Sequence, residues 1–154
     1  MTRKIKHDAR KLSQICHKNI VLFRGISIDK NYVYTYTEYM AKGSVYDQIH
    51  KYRKTFDEKQ ILKILISVSR GMMFLHGINK IHGALKSSNV LISADWDIKL
   101  VDFGFSRLRE KFYRFKKLKK RKDAETPYWL APEILLGRKF GKEIDIYAFG
   151  ILIL

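Results

Sequence analysis

The chain has 154 residues, 46% of them hydrophobic, which is typical of one globular domain able to bury a core. Its single cysteine, Cys16, excludes an internal disulfide. The apolar stretches 61–75 and 144–154 are too short or too polar to cross a bilayer, and no secretory signal is found, so we expect a soluble cytoplasmic protein.

The formal charge of +16 is concentrated in one segment. Residues 107–122, from Arg107 to Lys122, contain ten Lys or Arg and one acidic residue, so nine of the excess charges lie there. Such a run is typical of a solvated loop. Its interleaved aromatic and aliphatic side chains also fit contact with an anionic membrane or nucleic-acid surface. Both interpretations stay open from the sequence.

The first predicted elements are a helix and two strands. Apolar residues at helical spacing in 5–16 indicate the helix. Segments 19–26 and 32–38 indicate the strands, which the turn at 29–31 would join. In the second strand tyrosines alternate with valine and threonine, as expected for a strand whose two faces differ.

A long helix is predicted next. Thr55 and Glu58 fit a capping box at its start, and Gly77 would stop it. Its predicted apolar stripe consists of Ile61, Leu65, Val68, Met72 and Leu75.

Two short strands and a final helix complete the predicted elements. Segments 90–93 and 98–101 are rich in strand-forming residues and flank a turn at 94–97. Segment 143–154 begins another apolar helix. A mostly helical chain with few strands and no repeated strand–helix unit is an α+β protein.

Four short motifs follow one another in the second half of the chain. The segment 82–89, HGALKSSN, is followed by DFG at 102–104, by APE at 131–133 and by DIYAFG at 145–150. Each string alone is weak, but their order and separations match the catalytic loop, the D-F-G and A-P-E motifs and the next helix of protein kinases. The chain therefore resembles a eukaryotic protein kinase domain, and details are similar to the tyrosine-kinase-like, Raf-type serine/threonine group.

The resemblance implies a partial kinase-like fold in a single domain, residues 1–154. The remainder of the small lobe would run from the family's αC helix through residue 37, with the hinge at 38–41. The large-lobe portion would be 42–154, up to the family's αF helix. The Gly-rich loop and the lysine that contact the ATP phosphates in kinases have no counterpart in this sequence.

ATP and Mg²⁺ are the cofactors that the resemblance implies. Asp102 would hold magnesium and Asn89 would complete its site, since carboxylate and amide oxygens suit this ion. Lys86 would neutralise the transferring phosphate. The alternative for the first two is structural, with Asp102 capping a turn and Asn89 tying the loop together.

A nucleotide site is implied at the hinge. Thr37 and Glu38 match the gatekeeper and the first hinge residue, and Met40 would offer main-chain hydrogen bonds to adenine. Leu91 would form the floor beneath the ring. Met40 and Leu91 are apolar and would equally suit a core.

Ala84 stands where kinases have the catalytic aspartate. An alanine side chain has no acceptor for the proton of the attacking hydroxyl, and loss of a positioned base lowers a rate by ~10²–10⁴-fold. Gly83 replaces the arginine that would pair with a phosphorylated activation loop. The same His-Gly pattern resembles the kinase-homology domains of receptor guanylate cyclases, which are regulatory.

Other matches concern scaffolding and regulation. Asp8 stands nine residues before His17, where the αC helix would carry a longer glutamate, and its alternative is a surface charge. The stacked residues that connect the two kinase lobes, which ordinary core packing would also use, match Leu12, Phe23, His82 and Phe103, with Asp145 as their anchor. Further structural or regulatory positions are Gly104, Thr126 and Glu133.

Two functions from different classes follow. The first is a pseudokinase, a regulatory or scaffold domain that binds a protein partner and transfers no phosphate. The second is an active ATP-dependent serine/threonine protein kinase with a protein substrate, whose missing ends reflect an incomplete gene model. In the first case Ala84→Asp would create phosphate-transfer activity where the wild type has none. In the second case it would only increase an activity that is already present.

Overall fold

A computed structural model of the chain describes residues 2–29, 32–103 and 127–154. Within these ranges the helices are α1 (Thr2–Ser13), α2 (Glu58–Gly77), α3 (Pro132–Leu135) and α4 (Glu143–Ile153). The strands are β1 (Phe23–Ile28), β2 (Val33–Thr37), β3 (Val90–Ile92) and β4 (Ile98–Leu100). A π-helical turn, Asp47–Lys51, precedes α2. The predicted α+β class is confirmed.

The start of α2 differs from the prediction. The side chain of Asp57 accepts the Gln60 N–H at 2.8 Å, and Oε1 of Gln60 accepts the Asp57 N–H at 3.3 Å. The capping box is therefore Asp57 with Gln60, and the prediction of Thr55 with Glu58 was wrong by two residues. Helix α2 ends at Gly77 as predicted, but the left-handed residue beyond it is Asn79, with φ of 54°.

The strand predicted at 19–26 begins later, at Phe23. The residues before it bond elsewhere, since the Val21 N–H donates to the Leu100 carbonyl at 2.8 Å and the Leu100 N–H donates to Asn19 at 2.9 Å. The apolar segment 20–22 is thus bound to β4 by main-chain hydrogen bonds and is not part of β1. Helix α1 also differs from its predicted bounds, since it starts at Thr2 and ends at Ser13.

Two antiparallel pairs of strands form separate small sheets. In the β1–β2 pair Ser27 lies opposite Tyr34, and in the β3–β4 pair Leu91 lies opposite Lys99. The first pair packs against α1 and the second packs against α2. Each helix therefore covers one sheet.

The main core joins α2 to the β3–β4 pair. Val68, Leu75, Val90 and Leu100 are completely buried in it. A smaller cluster contains Ala9 and Phe23 of the first unit. Leu12 packs against both clusters and so connects the two units.

Gly71 marks the closest approach of α2 to the rest of the core. A Cβ atom at this position would lie 2.9 Å from the carbonyl oxygen of Asn19 and 2.9 Å from Cδ1 of Leu100. Real Cβ atoms do not come this close to a backbone oxygen, so any larger residue would push the helix away. The position requires glycine for space.

Candidate functional site

A buried carboxylate holds the loop that corresponds to the kinase catalytic loop. Asp145 of α4 is 1% exposed and accepts the N–H groups of His82 and Gly83, each at 2.8 Å. Nε2 of His76, near the end of α2, lies 2.9 Å from the same carboxylate. The carboxylate of α4 thus joins the backbone at the start of the loop to the end of α2.

The shape of the loop depends on one glycine. Gly83 has φ of +69°, and nothing lies within 4 Å of where its Cβ would be. Only glycine adopts this conformation without strain, which amounts to ~1–2 kcal/mol for other residues. A side chain at position 83 would have enough room, so the backbone angle is the reason for glycine at this position.

Asn89 ties the two ends of the loop together. Its side-chain N–H₂ donates to the Ala84 carbonyl at 2.7 Å, and its own N–H donates to Lys86 at 2.8 Å. The structural role considered from the sequence is therefore present. The amide oxygen is the atom that would serve as a metal ligand.

Asp102 is brought to the same place as Asn89. The N–H of Val101, the residue before it, donates to the Asn89 carbonyl at 3.0 Å. Asp102 is half-buried and has φ of 70°, a strained conformation for a residue with a Cβ. One carboxylate and one amide oxygen fit Mg²⁺, which keeps several waters when bound by proteins. Among the described residues no group of three His, Cys, Asp or Glu could hold a metal ion.

Ala84 and Lys86 line a shallow depression beside α4. Trp129 and Ile134 line it as well. Ala84 is half-buried, and its N–H donates to Nδ1 of His82 at 3.3 Å. The side chain at position 84 is a methyl group, which offers no hydrogen-bond acceptor.

The side chain of His82 is enclosed beneath the loop. It is 2% exposed, and burial lowers the pKa of its imidazole to about 4, although the nearby Asp145 opposes the shift. The side chain is therefore neutral at physiological pH and closed off from solvent. Its contribution is to packing and to the backbone geometry of the loop.

Glu38 is the best-anchored residue of the hinge. Its carboxylate accepts the Leu22 N–H at 2.7 Å and two hydrogen bonds from Nζ of Lys99, at 2.7 and 2.9 Å. Its own N–H donates to the Leu22 carbonyl at 2.9 Å. Thr37, half-buried at the end of β2, donates from Oγ1 to the Glu38 carbonyl at 3.2 Å. The side chain of Glu38 is thus occupied by β4 and the chain before β1.

The Glu38–Lys99 pair should make the fold sensitive to acid. Burial alone would raise the pKa of Glu38, but the hydrogen bonds from Lys99 and Leu22 and the nearby positive charges outweigh it and lower this pKa below 4.5. A lowered folded-state pKa contributes stability above the unfolded-state value, and this stability is lost as the pH falls through the folded-state value. We expect Lys99→Met to raise the Glu38 pKa in an NMR titration. The same variant should lose less stability than the wild type between pH 6 and pH values below 4; an equal loss would contradict this.

The predicted adenine contacts, Met40 and Leu91, belong to two segments that main-chain hydrogen bonds join. Met40 is buried, and its carbonyl accepts the Gly43 N–H at 3.0 Å. The Ile92 N–H in turn donates to the Gly43 carbonyl at 2.9 Å, which fastens the hinge to β3. Leu91 in that strand is half-buried. The structure therefore brings Met40 and Leu91 to one region, and their contact with a nucleotide stays a prediction.

The remaining predicted residues fall into two groups. Phe23 and Phe103 are buried, each in one of the two core clusters, and Glu133 is half-buried on α3. The residues that lie outside the described part of the chain are Gly104, Thr126, the segment 107–122 and the side chain of Asp8.

Two contributors were missed from the sequence. His76 pairs with a residue 69 positions away, and Lys99 pairs with one 61 positions away. Neither belongs to a motif, and no local pattern could have indicated these partners.

Comparison with known proteins identifies the family. The family model described as protein tyrosine and serine/threonine kinase matches residues 1–154. The chain is 35% identical over 146 residues to the serine/threonine-protein kinase CTR1 of Arabidopsis thaliana, covering 92% of this chain and 17% of that protein. It is 29% identical over 153 residues to mitogen-activated protein kinase kinase kinase 3 of the same plant, covering 99% of this chain and 24% of the relative.

The chain belongs to the protein kinase family. The resemblance to a kinase domain of the tyrosine-kinase-like, Raf-type group is confirmed. The chain spans only 8–26% of the length of these and other curated relatives that it matches. Within the described ranges, none of the helices has both the length and the apolar character needed to traverse a membrane.

Proposed function

We propose that the chain is a pseudokinase domain that acts as a regulatory or scaffold module for a protein partner. The observation that carries the proposal is Ala84 at the position of the catalytic base. Asp145 is the carboxylate that binds the backbone of this loop. It is buried and accepts two backbone N–H groups. It is therefore not free to orient a substrate hydroxyl.

The proposal allows nucleotide to bind without turnover. Asn89 and Asp102 would hold Mg²⁺, and Lys86 would face the phosphates. When bound, the metal ion would neutralise charge on the phosphates and so fix the nucleotide in place. The residues of this chain would position the nucleotide and support the fold around it.

The second candidate is an active serine/threonine protein kinase. It is favoured by the relatives, which are named serine/threonine-protein kinases, and by the retained Lys86, Asn89 and Asp102. Catalysis would then depend on positioning and electrostatic stabilisation without a base at position 84.

Ala84→Asp in the native protein separates the two candidates. We expect the wild type to transfer no phosphate above background from Mg-ATP to serine/threonine peptides, and Ala84→Asp to transfer it at least ~10²-fold faster than that background. Radiolabelled phosphate incorporation measures both rates. Ala84→Asn is the matched control, because it has a similar size and no basic carboxylate. Wild-type activity within a factor of a few of the aspartate variant would overturn the pseudokinase proposal.

A further inference from the structure

The outward face of α2 carries an apolar row that is separate from the core. Leu62, Ile66 and Met73 are 50%, 48% and 73% exposed. They follow one another at spacings of four and seven residues, so they lie along one line of the helix surface. The core face, with Val68 and Leu75, points the other way and is fully covered. The exposed row therefore contributes nothing to the core of the described structure.

A row of cations runs beside the apolar row. Lys63 and Arg70 are exposed and lie seven residues apart on one flank, and the exposed Lys59 lies one turn before Lys63. No described carboxylate forms an ion pair with any of them. Glu58, the acidic residue of α2, lies one turn before Leu62, on the side of the apolar row away from Lys63 and Arg70. The charge on this face is thus one-sided.

The spacing of the exposed row has the period of a helix-packing seam. With Ser69 included, the positions 62, 66, 69 and 73 are separated by four, three and four residues. Apolar residues alternate in this way in the heptad repeat of packed helices. In such repeats the residues that flank the apolar seam pair with charged residues of the facing helix. Lys63 and Arg70 occupy such flanking positions. Cations there select acidic residues on the partner.

We propose that this face of α2 docks an acidic amphipathic helix of a protein partner. Apolar side chains of that helix would pack on Leu62, Ile66 and Met73, and its flanking Glu or Asp residues would pair with Lys63 and Arg70. A membrane-bound helix has basic residues around its apolar face, whereas here they lie on one flank only. The seam from 62 to 73 is about 17 Å long, which suits reversible binding.

This inference deepens the proposed function, on which it rests, by naming the surface through which a regulatory module would bind. The test uses the full chain and a labelled 21-residue peptide of three heptads with Leu at the seam positions and Glu at the flanking positions. A sister peptide has Lys in place of Glu. Fluorescence anisotropy measures both affinities at low and high salt.

We expect at least a 10-fold preference for the Glu peptide at low salt. Lys63→Glu with Arg70→Glu should abolish or reverse this preference, and Ile66→Ser should weaken binding of the Glu peptide at least 5-fold. Because the whole chain is basic, the matched control is Lys18→Glu with Lys139→Glu, two exposed cations elsewhere with the same change of charge. The control should keep the preference. Circular dichroism melting confirms that all variants are folded.

Three results would overturn the proposal. The first is an equal loss of preference in the control, which would reveal attraction by net charge alone. The second is unchanged peptide binding in Ile66→Ser. The third is binding of phosphatidylglycerol vesicles that these α2 variants abolish while peptide binding persists, which would assign the face to a lipid surface. Each is independent of phosphate transfer by Ala84→Asp, so failure of this inference is distinguishable from failure of the pseudokinase proposal.

Discussion

Replacing Asp145 by alanine should lower the free energy of unfolding by about 3–5 kcal/mol. The substitution removes the acceptor of two N–H groups, of His82 and Gly83, and the partner of His76. His82 is almost fully buried, so water could not replace the lost acceptor without opening the loop. Because a domain has only ~5–15 kcal/mol in total, the variant should be close to unfolded. Urea denaturation followed by circular dichroism measures the effect.

Two comparisons make this prediction specific. Asp145→Asn keeps one acceptor oxygen, so we expect a smaller loss than in the alanine variant. Glu143→Ala removes an exposed carboxylate on the same helix, which accepts the Gly141 N–H at 2.6 Å. It should lower stability by less than ~1 kcal/mol. If Asp145→Ala were no worse than Glu143→Ala, the carboxylate would not be the anchor of the loop.

Gly71→Ala should destabilise the chain by about 1–3 kcal/mol, the usual effect of overpacking a core. In an open helix the same change would stabilise by about 1 kcal/mol, so the two effects have opposite signs. The new methyl group would lie 2.9 Å from the carbonyl oxygen of Asn19, which is fixed by its bond to the Leu100 N–H. The helix must therefore shift. The midpoint of urea denaturation should fall.

Gly77→Ala is the matched control for this prediction. Gly77 is the last residue of the same helix, and nothing lies within 4 Å of where its Cβ would be. The substitution should leave stability unchanged or increase it by up to ~1 kcal/mol. A stabilising effect of Gly71→Ala would show that the helix tolerates a wider separation from β4.

Local sequence patterns predicted most elements of the fold. They failed where a contact with a residue distant in the sequence determines the bounds of an element. The position of the α2 cap is an example, because Thr55 and Asp57 are both good capping residues. Phe56 packs edge-on against the Trp96 ring, with centroids 6.0 Å apart. A helix that began at Thr55 would include Phe56 and turn it from this partner. The sequence contains both residues, but it does not reveal that they meet.

The candidate site could be predicted because kinase motifs are local strings. Segment 82–89 and Asp102 were recognised in this way, and the structure brings Asn89 and Asp102 to one end of the β3–β4 pair. The interactions that hold the site could not be found, since Glu38 meets Lys99 and His76 meets Asp145 only after folding. The resemblance placed Glu38 at the hinge, but no sequence pattern indicated that its carboxylate would accept hydrogen bonds from Leu22 and Lys99.

The left-handed backbone of Gly83 imposes an order on any evolutionary return to a kinase catalytic loop. A mutation of Ala84 to aspartate changes a half-buried methyl group and requires no new backbone angle. A mutation of Gly83 to arginine would place a Cβ on a residue with φ of +69°, at a penalty of ~1–2 kcal/mol. The acidic residue could therefore be regained at little loss of stability, while the arginine would require compensation elsewhere. Of the two changes, the one from arginine to glycine at position 83 is therefore the more difficult to reverse.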